Sequence, residues 1–474
     1  MNLFKQKSIS SLIEEANQQG EGTLKRTIGP WGLIMLGIGA IIGAGLFSIT
    51  GMAAANYAGP AVTISFVIAG LGCVFAGLCY AEFASMIPLA GSAYTYSYAT
   101  MGELFAWIIG WDLVLEYAVA ASTVAISWSK YFQKFFLNFG ITLPHELTAS
   151  PSEGGYLNLP AVFIVVLVTL ILARGMKEST KTTSIIVGLK LFVVFAFIIL
   201  GWNYMNPANQ EPYFIENTGK FGEYGWSGII RAAAVVFFAY IGFDAVSTAA
   251  QETINPKKNM PIGILGSLLI CTVLYLLFAH VLTGLAHYTE FKGQDGIAPV
   301  GVAISHTPYK WLNQFIIFAI LAGYMSVILV LLMGQSRVFY SMAKDGLLPS
   351  VFSEVHKKFH TPFKSNMIIM VFVCLFSAFV PAEIVGEMTS IGTLFAFVLV
   401  CFGVIYMRYK MPNAPRGFKT PFVPLVPILG ILTCFGMMVF LPGETWLRLI
   451  IWLSIGLVIY FVYGIKNSKI QNQK

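Results

Sequence analysis

Apolar residues fill long uninterrupted runs of the chain, unlike the alternating or one-sided patterns of soluble strands and helices. A run of about 20 apolar residues is long enough for a helix to cross the hydrocarbon layer of a membrane. Twelve such runs can be traced, near residues 30–55, 60–84, 103–128, 157–174, 183–203, 226–250, 262–286, 312–340, 365–381, 384–407, 424–441 and 446–464. The pattern predicts an all-α integral membrane protein with 12 transmembrane helices.

Composition and charge agree with this class. Hydrophobic residues make up 57% of the 474 residues and charged residues 11%, with a mean hydropathy of +0.75, whereas roughly a quarter of residues in soluble domains are charged. Lys and Arg concentrate in the segments that lie inside when the N-terminus is cytoplasmic. We expect a multi-pass protein of the cell inner (plasma) membrane with both termini cytoplasmic. The net charge of +7 is then an orientation signal, and no nucleic-acid partner is predicted.

A polar leader precedes the first run, so a cleavable signal peptide is not expected. Residues 8–18 of this leader begin with helix-capping residues. They are predicted either to form a short amphipathic helix on the inner membrane surface or to remain solvated. The six cysteines fall within apolar runs and have neither metal-site nor disulfide spacing.

Glycine crowds the middle of the first run, at positions 37, 39, 43 and 45. Each glycine weakens a helix by roughly 1 kcal/mol relative to alanine, so the spanning helix is expected to break there. A matching break is predicted in the sixth run, where Gly242 interrupts the segment and Asp244 is suited to cap a new helix start. The alternative for either run alone is that glycine permits close helix packing.

Paired interruptions at corresponding positions are typical of transporters built from inverted repeats. Five spans separate the two runs, so they would enter the membrane from opposite sides, as in a five-plus-five repeat. The predicted organisation is a cytoplasmic leader (1–27), a first repeat (28–203), a second repeat (226–408), two further spans (424–464) and a cytoplasmic tail (465–474).

A broken helix suits a zwitterionic ligand. The N–H groups of Gly43, Ala44 and Gly45 would meet a carboxylate at the positive end of the second half-helix. Freed carbonyl groups would meet an ammonium group, and the candidates are Ile41 in the first run and Phe238, Ala239 and Ile241 in the sixth. The predicted ligand class is therefore α-amino acids.

Two ionisable residues lie deep inside predicted spans, where a charge costs about 2.5–3.5 kcal/mol. Burial disfavours the charged form of lysine, so Lys190 is the candidate proton-coupling residue. The alternative is a permanently charged lysine that caps the carbonyls of a broken neighbouring helix. Glu116 is a candidate for a gate or proton role, or for a packed polar link between helices.

Several long motifs resemble a known family. They are the segment 24–29 leading into GIGAIIGAG at 37–45, YAEFASMIPLAGSAYTYSYATMGE at 80–103, FFAYIGFDAVSTAAQE at 237–252 and GQSRVFYSMAKDGLLP at 334–349. Together they are similar to bacterial members of the cationic amino acid transporter branch of the amino acid–polyamine–organocation superfamily. The resemblance implies a LeuT-type fold with discontinuous helices 1 and 6.

The resemblance also implies residue roles. Lys190 matches a lysine that occupies the place of a sodium ion in sodium-coupled relatives, which disfavours a sodium-driven mechanism. Glu116 matches an acidic gate residue, and Phe238 matches an outer lid over the substrate. Small single-span partner subunits occur among relatives, and nothing in the sequence predicts or excludes one.

The function predicted from these features is proton-coupled uptake of L-amino acids by alternating access, with protons as the coupling ion and no other cofactor or metal. An amino acid exchanger is the closest alternative, and a membrane amino acid sensor is a non-transport alternative. An enzyme is disfavoured because neither a P-loop nor a nucleophile elbow is present. Cationic and neutral substrates are equally compatible with the sequence.

Overall fold

The computed structural model describes residues 2–8, 12, 28–87, 89, 91–174, 176–292, 298–309, 312–357, 359 and 361–472. Within these residues the secondary structure is helical, and the one β-type pairing is an isolated bridge between Ile28 and Thr253. The predicted all-α class is therefore confirmed. Most of the leader 1–27, including most of the predicted amphipathic helix over 8–18, lies outside the described residues.

The longer α-helices mostly follow the predicted apolar runs, although the two shortest of them, Ser92–Thr100 and Pro299–Ser305, lie between runs. In chain order they are α1 (Pro30–Ile41), α2 (Val62–Met86), α3 (Ser92–Thr100), α4 (Glu103–Val114), α5 (Ala120–Leu137), α6 (Leu159–Ala173), α7 (Met176–Trp202), α8 (Gly225–Val236), α9 (Pro256–Leu285), α10 (Pro299–Ser305), α11 (Leu312–Lys344), α12 (Phe363–Phe379), α13 (Ala382–Lys410), α14 (Leu425–Val439) and α15 (Gly443–Ile459).

Eight helical stretches in the described part of the chain are long and apolar enough to cross a membrane, and three shorter apolar helices accompany them. The first stretch, Pro30–Met86, has 57 residues, far more than one span needs at about 1.5 Å per residue. Gly59 interrupts it with a φ of +59°, in the left-handed region that glycine adopts without penalty. The fold is thus that of a multi-pass membrane protein.

The interior is built around α9, which packs along both α1 and α2. On the other side of α1, α11 packs against α5 and α7. The C-terminal end of α1 is therefore enclosed by long helices, and Ile41 and Ile42 there are buried. This arrangement removes the first helix break from lipid.

The two chain ends meet on one face of the molecule. Glu103 at the start of α4 receives a hydrogen bond from Ser468 through its carboxylate and donates its own N–H to the carbonyl of Lys5 at 3.2 Å. The amide of Gln471 donates to the carbonyl of Asn2 at 2.7 Å. Residues 2–8 and the C-terminal segment are therefore bound to the helix ends and to each other.

Candidate functional site: two facing helix breaks

The predicted discontinuity in the first run is present. Helix α1 ends at Ile41, and Ile42 leaves the helical conformation with a ψ of 108°. A helical segment resumes as a π-helical turn over Gly45–Ile49. In the described part of the chain, the N–H groups of Gly43, Ala44 and Gly45 donate no backbone hydrogen bond. They are the free donors that the start of a helical segment offers to an anion.

The sixth run is also broken. Helix α8 ends at Val236 and tightens into a 3₁₀ turn over Phe237–Tyr240, after which Ile241 is extended with a ψ of 132°. Gly242 then takes a φ of +113°, and a second 3₁₀ segment begins at Asp244. A side chain at Gly242 would be strained in this conformation. Its Cβ would also lie 3.2 Å from the carbonyl carbon of Ala40 in α1.

The two breaks are in direct contact. A Cβ on Gly45 would lie 2.2 Å from the Cα of Ala239, a distance that non-bonded carbon atoms cannot reach. Glycine therefore serves both of the functions considered from the sequence, because it interrupts the helix and lets the two backbones approach. The candidate ligand groups Gly43–Gly45 and Phe238–Ile241 are thereby brought together.

The prediction that Asp244 caps the resumed segment is wrong. Phe243 occupies the N-cap position, and Asp244 is the first residue inside the 3₁₀ segment, where no side-chain cap bond forms. Its carboxylate instead accepts a hydrogen bond from the hydroxyl of Tyr117. A cap at position 244 would require the segment to begin at Ala245, but it begins one residue earlier, at Asp244 itself.

Tyr275 of α9 connects the two breaks. Its hydroxyl oxygen lies 2.8 Å from the carbonyl oxygen of Ile41 and 2.8 Å from that of Ala239. Both carbonyls belong to the set predicted to receive an ammonium group. The carbonyl of Phe238 accepts a hydrogen bond from the Ile241 N–H at 3.2 Å. Nothing in the sequence marks Tyr275, since a tyrosine between leucines in an apolar run has no distinctive pattern.

Lys190 of α7 reaches the same break from the other side. Its ammonium donates to the carbonyls of Gly39 at 2.7 Å and Ile42 at 2.8 Å, and the residue is 1% exposed. Ser326 of α11 shares the Gly39 carbonyl at 3.4 Å. The lysine forms no ion pair within the described residues. This geometry places it as a cap on the broken helix, and its role in proton coupling stays a prediction.

Buried acidic groups lie beside the second break. Glu116 sits in a π-helical turn, Leu115–Val119, between α4 and α5, and is fully buried with Asp112 and Asp244. The carboxyl groups of Glu116 and Asp244 are neighbours. Neither oxygen of Glu116 has a donor partner among the described residues. Asp244 has a donor in the hydroxyl of Tyr117, so the two carboxyl groups differ in their hydrogen bonding.

Phe238, the predicted lid, lies in the 3₁₀ turn of the second break and is 5% exposed. It is therefore located at the break where the substrate that it is predicted to cover would bind. The gate role of Glu116 and the lid role of Phe238 stay predictions.

Ion pairs and a hydrogen bond connect several segments on the face where the chain ends meet. Lys7 pairs with Asp345 at 2.5 Å, and the hydroxyl of buried Tyr94 donates to the second oxygen of that carboxylate at 2.7 Å. Arg337 of α11 pairs with Glu252 at the end of the sixth run. These bonds join α3, α11 and the N-terminal segment on the side of the breaks that the charge pattern assigns to the cytoplasm.

Glu82 of α2 is a structural anchor. Its carboxylate accepts hydrogen bonds from Arg408 and Arg416, each at 2.9 Å, and from the N–H of Thr420 at 2.8 Å. The bonds hold α2, α13 and the segment before α14 together. The carboxylate of Glu82 thus has several donors, whereas that of Glu116 has none among the described residues.

Residues 28–463 match the amino acid permease family. The branched-chain amino acid permease BcaP of Bacillus subtilis is 46% identical over 473 residues, which cover 99% of this chain and 99% of the relative. The methylthioribose transporter of the same organism is 42% identical over 469 residues, 98% of this chain and 99% of the relative. Cationic amino acid transporter 4, vacuolar, of Arabidopsis thaliana is 28% identical over 587 aligned residues, which cover 99% of this chain and 97% of the relative.

Proposed function

Since the chain belongs to the amino acid permease family and is a membrane transporter, we propose that it carries L-amino acids into the cell together with protons. The observation that supports this most directly is the contact between the two helix breaks. Free N–H groups at Gly43–Gly45 face a region that also contains the carbonyls of Ile41 and Ala239. One ligand with a carboxylate and an ammonium group on adjacent atoms satisfies both sets.

The substrate class we propose is aliphatic, branched-chain amino acids. A Cβ on Gly43 would lie 2.9 Å from Val327 of α11, which is the side chain nearest to that position. Ile41 and Phe238 add further apolar groups around the breaks. An apolar lining favours an aliphatic side chain over a cationic one, which would need a paired carboxylate. The name of the Bacillus subtilis relative at 46% identity supports the same class.

We assign coupling to Lys190. The protonated amine donates to two carbonyls of the broken helix, Gly39 and Ile42. A neutral amine has fewer N–H donors and no charge, so its hydrogen bonds to these carbonyls are weaker. Gain and loss of the proton would therefore tighten and loosen the break at which the substrate carboxylate binds. An inside-negative potential adds about 2.3 kcal/mol per charge per 100 mV to inward movement.

Transport would proceed by alternating access in a LeuT-type fold of twelve spans, with 28–203 and 226–408 as the inverted repeats and both termini in the cytoplasm of a plasma membrane protein. The contact between Gly45 and Ala239 lies between the two repeats. Movement of the broken helices relative to α5 and α11 would expose the breaks to each side in turn. Phe238 would cover the ligand from outside, and Glu116 would close the path inward.

An exchanger remains the second candidate, because one observation favours it. Lys190 has two carbonyl partners at ordinary hydrogen-bonding distance, which is also the environment that would stabilise a permanently charged lysine. A lysine that never loses its proton would cap the break without coupling transport to protons.

The deciding experiment measures uptake of radiolabelled leucine, alanine and arginine into proteoliposomes, with and without an inward proton gradient. Wild type is compared with Lys190→Ala and with Lys292→Ala, which removes an exposed lysine. Proton-driven leucine accumulation that is lost in Lys190→Ala alone supports the symporter. Uptake that requires internal amino acid in every variant identifies an exchanger, and preferred uptake of arginine overturns the proposed substrate class.

A further inference from the structure

Tyr275 holds a position that the transport proposal does not yet explain. It lies in the middle of α9, which is continuous and belongs to neither broken run. Its side chain is fully buried. The ring is fixed by edge packing against Tyr240 at 5.3 Å and by a tilted contact with Phe66 at 5.5 Å between ring centroids. The ring is therefore packed between α2 and the 3₁₀ turn of the second break, and this packing positions the hydroxyl.

The hydroxyl serves two acceptors with one proton. The carbonyl oxygens of Ile41 and Ala239 both lie 2.8 Å from it, but a tyrosine hydroxyl can donate only one hydrogen bond at a time. Each carbonyl oxygen also has a second lone pair. The pair of carbonyls thus has more acceptor capacity than Tyr275 can satisfy. An ammonium group has several N–H donors, so it can provide the hydrogen bonds that Tyr275 cannot.

We propose that Tyr275 is a positioning residue for recognition of the substrate's α-ammonium group. Its hydroxyl holds the Ile41 carbonyl of the first break and the Ala239 carbonyl of the second within reach of one donor atom, so that a single ammonium group can bind both. This inference rests on the proposed transport of amino acids. It adds that ammonium recognition depends on a side chain outside both broken helices.

The test compares two ligands that differ only in this group. Leucine and its α-hydroxy analogue, 2-hydroxy-4-methylpentanoate, are measured for binding to the purified full-length protein in detergent. In Tyr275→Phe, which keeps the ring and its packing, we expect leucine affinity to fall about tenfold, the order expected from loss of one or two hydrogen bonds at a charged group. Affinity for the hydroxy analogue should change by less than about twofold.

Tyr224→Phe is the matched control. It also removes a buried hydroxyl that donates to a carbonyl, that of Ala55 at 2.7 Å, but neither residue is part of either break. It should leave the ratio of the two affinities unchanged. Selective loss of leucine binding in Tyr275→Phe alone supports the proposal.

Equal loss of both ligands in Tyr275→Phe, unchanged leucine affinity, or tighter leucine binding would each overturn the positioning role. Equal loss of affinity for both ligands would show that the hydroxyl of Tyr275 is purely structural. Tighter leucine binding would show that this hydroxyl competes with the substrate for the carbonyls. A wild-type protein that does not prefer leucine over the hydroxy analogue would instead contradict the proposed amino acid site itself. The two failures are therefore distinguishable.

Discussion

Lys190 reaches the first helix break through a gap in α11 that Gly323 leaves open. A Cβ at position 323 would lie 2.6 Å from Cδ and 2.7 Å from Cγ of Lys190, closer than non-bonded carbon atoms approach. The stem of the lysine and the backbone of α11 are thus in contact along this stretch. Any side chain at 323 must displace the lysine or move the helix.

Gly323→Ala is therefore expected to act through Lys190. Displacement of the ammonium breaks its bonds to the carbonyls of Gly39 and Ile42, and each hydrogen bond to a charged group contributes about 1.5–3 kcal/mol. Leucine uptake in proteoliposomes should fall at least about tenfold. Gly188→Ala is the control on α7, because a Cβ there meets nothing within 4 Å.

Gly323→Ala should lower leucine uptake little further when Lys190 is already alanine, since the two residues interact directly. Comparison of the single variants with the double variant measures that interaction. If Gly323→Ala lowers uptake equally in both backgrounds, the effect arises from α11 itself and the explanation through Lys190 fails.

Gly43→Val tests the first break. The added side chain would cover the free N–H groups and would press on Val327, whose Cγ2 lies 2.9 Å from the position of the new Cβ. We expect uptake to be lost and the melting temperature to fall. Adding Val327→Ala should restore stability, because it makes room, but not uptake. Recovery of uptake in the double variant would show that crowding alone was responsible and would remove Gly43 from the ligand site.

The neighbouring buried carboxyl groups of Glu116 and Asp244 predict that removal of one carboxyl group stabilises the protein. Two negative charges side by side in a buried place repel each other, and Glu116→Gln replaces one of them by an amide that can donate a hydrogen bond to Asp244. We expect Glu116→Gln to raise the melting temperature of the purified protein at alkaline pH. Glu383→Gln, at an exposed site, should leave the melting temperature unchanged. An unchanged or lower melting temperature in Glu116→Gln would argue against repulsion between the two groups.

Asp345 is expected to hold the N-terminal segment in place. Asp345→Asn removes the charge that pairs with Lys7 and weakens the bond to Tyr94, whose buried hydroxyl loses an ionic acceptor. Hydrogen exchange of backbone amides in residues 2–8 should become faster. Lys364→Gln removes an exposed ion pair with Glu354 and should leave that exchange rate unchanged. Equally slow exchange of these amides in Asp345→Asn would show that other contacts hold the N-terminal segment in place.

Local composition was enough to predict the two breaks. Glycine at 43 and 242 weakens a helix wherever it occurs, so the interruptions could be located from the sequence. Lys190 was recognisable because a lysine so deep in an apolar run is rare. Lys190 donates to two carbonyls at the helix break, those of Gly39 and Ile42. This matches the predicted alternative of a lysine that caps the broken helix.

Contacts between distant parts of the chain could not be predicted in this way. Tyr275 meets Ile41 across 234 positions of sequence, and no local pattern encodes such a pairing. The error over Asp244 has a related cause. A carboxylate at the start of a segment is a good cap in isolation, but Tyr117 on another helix supplied a partner that the local sequence does not contain.

The contacts between the two chain ends also affect how the protein can be handled. The amide of Gln471 donates to the carbonyl of Asn2, and both ends contact Glu103 of α4, one through Lys5 and the other through Ser468. A fusion tag at either terminus would therefore be attached to the face that the charge pattern assigns to the cytoplasm, where it could disturb these contacts. The loop around Gly140, where a side chain would meet nothing within 4 Å, is the better place for a reporter.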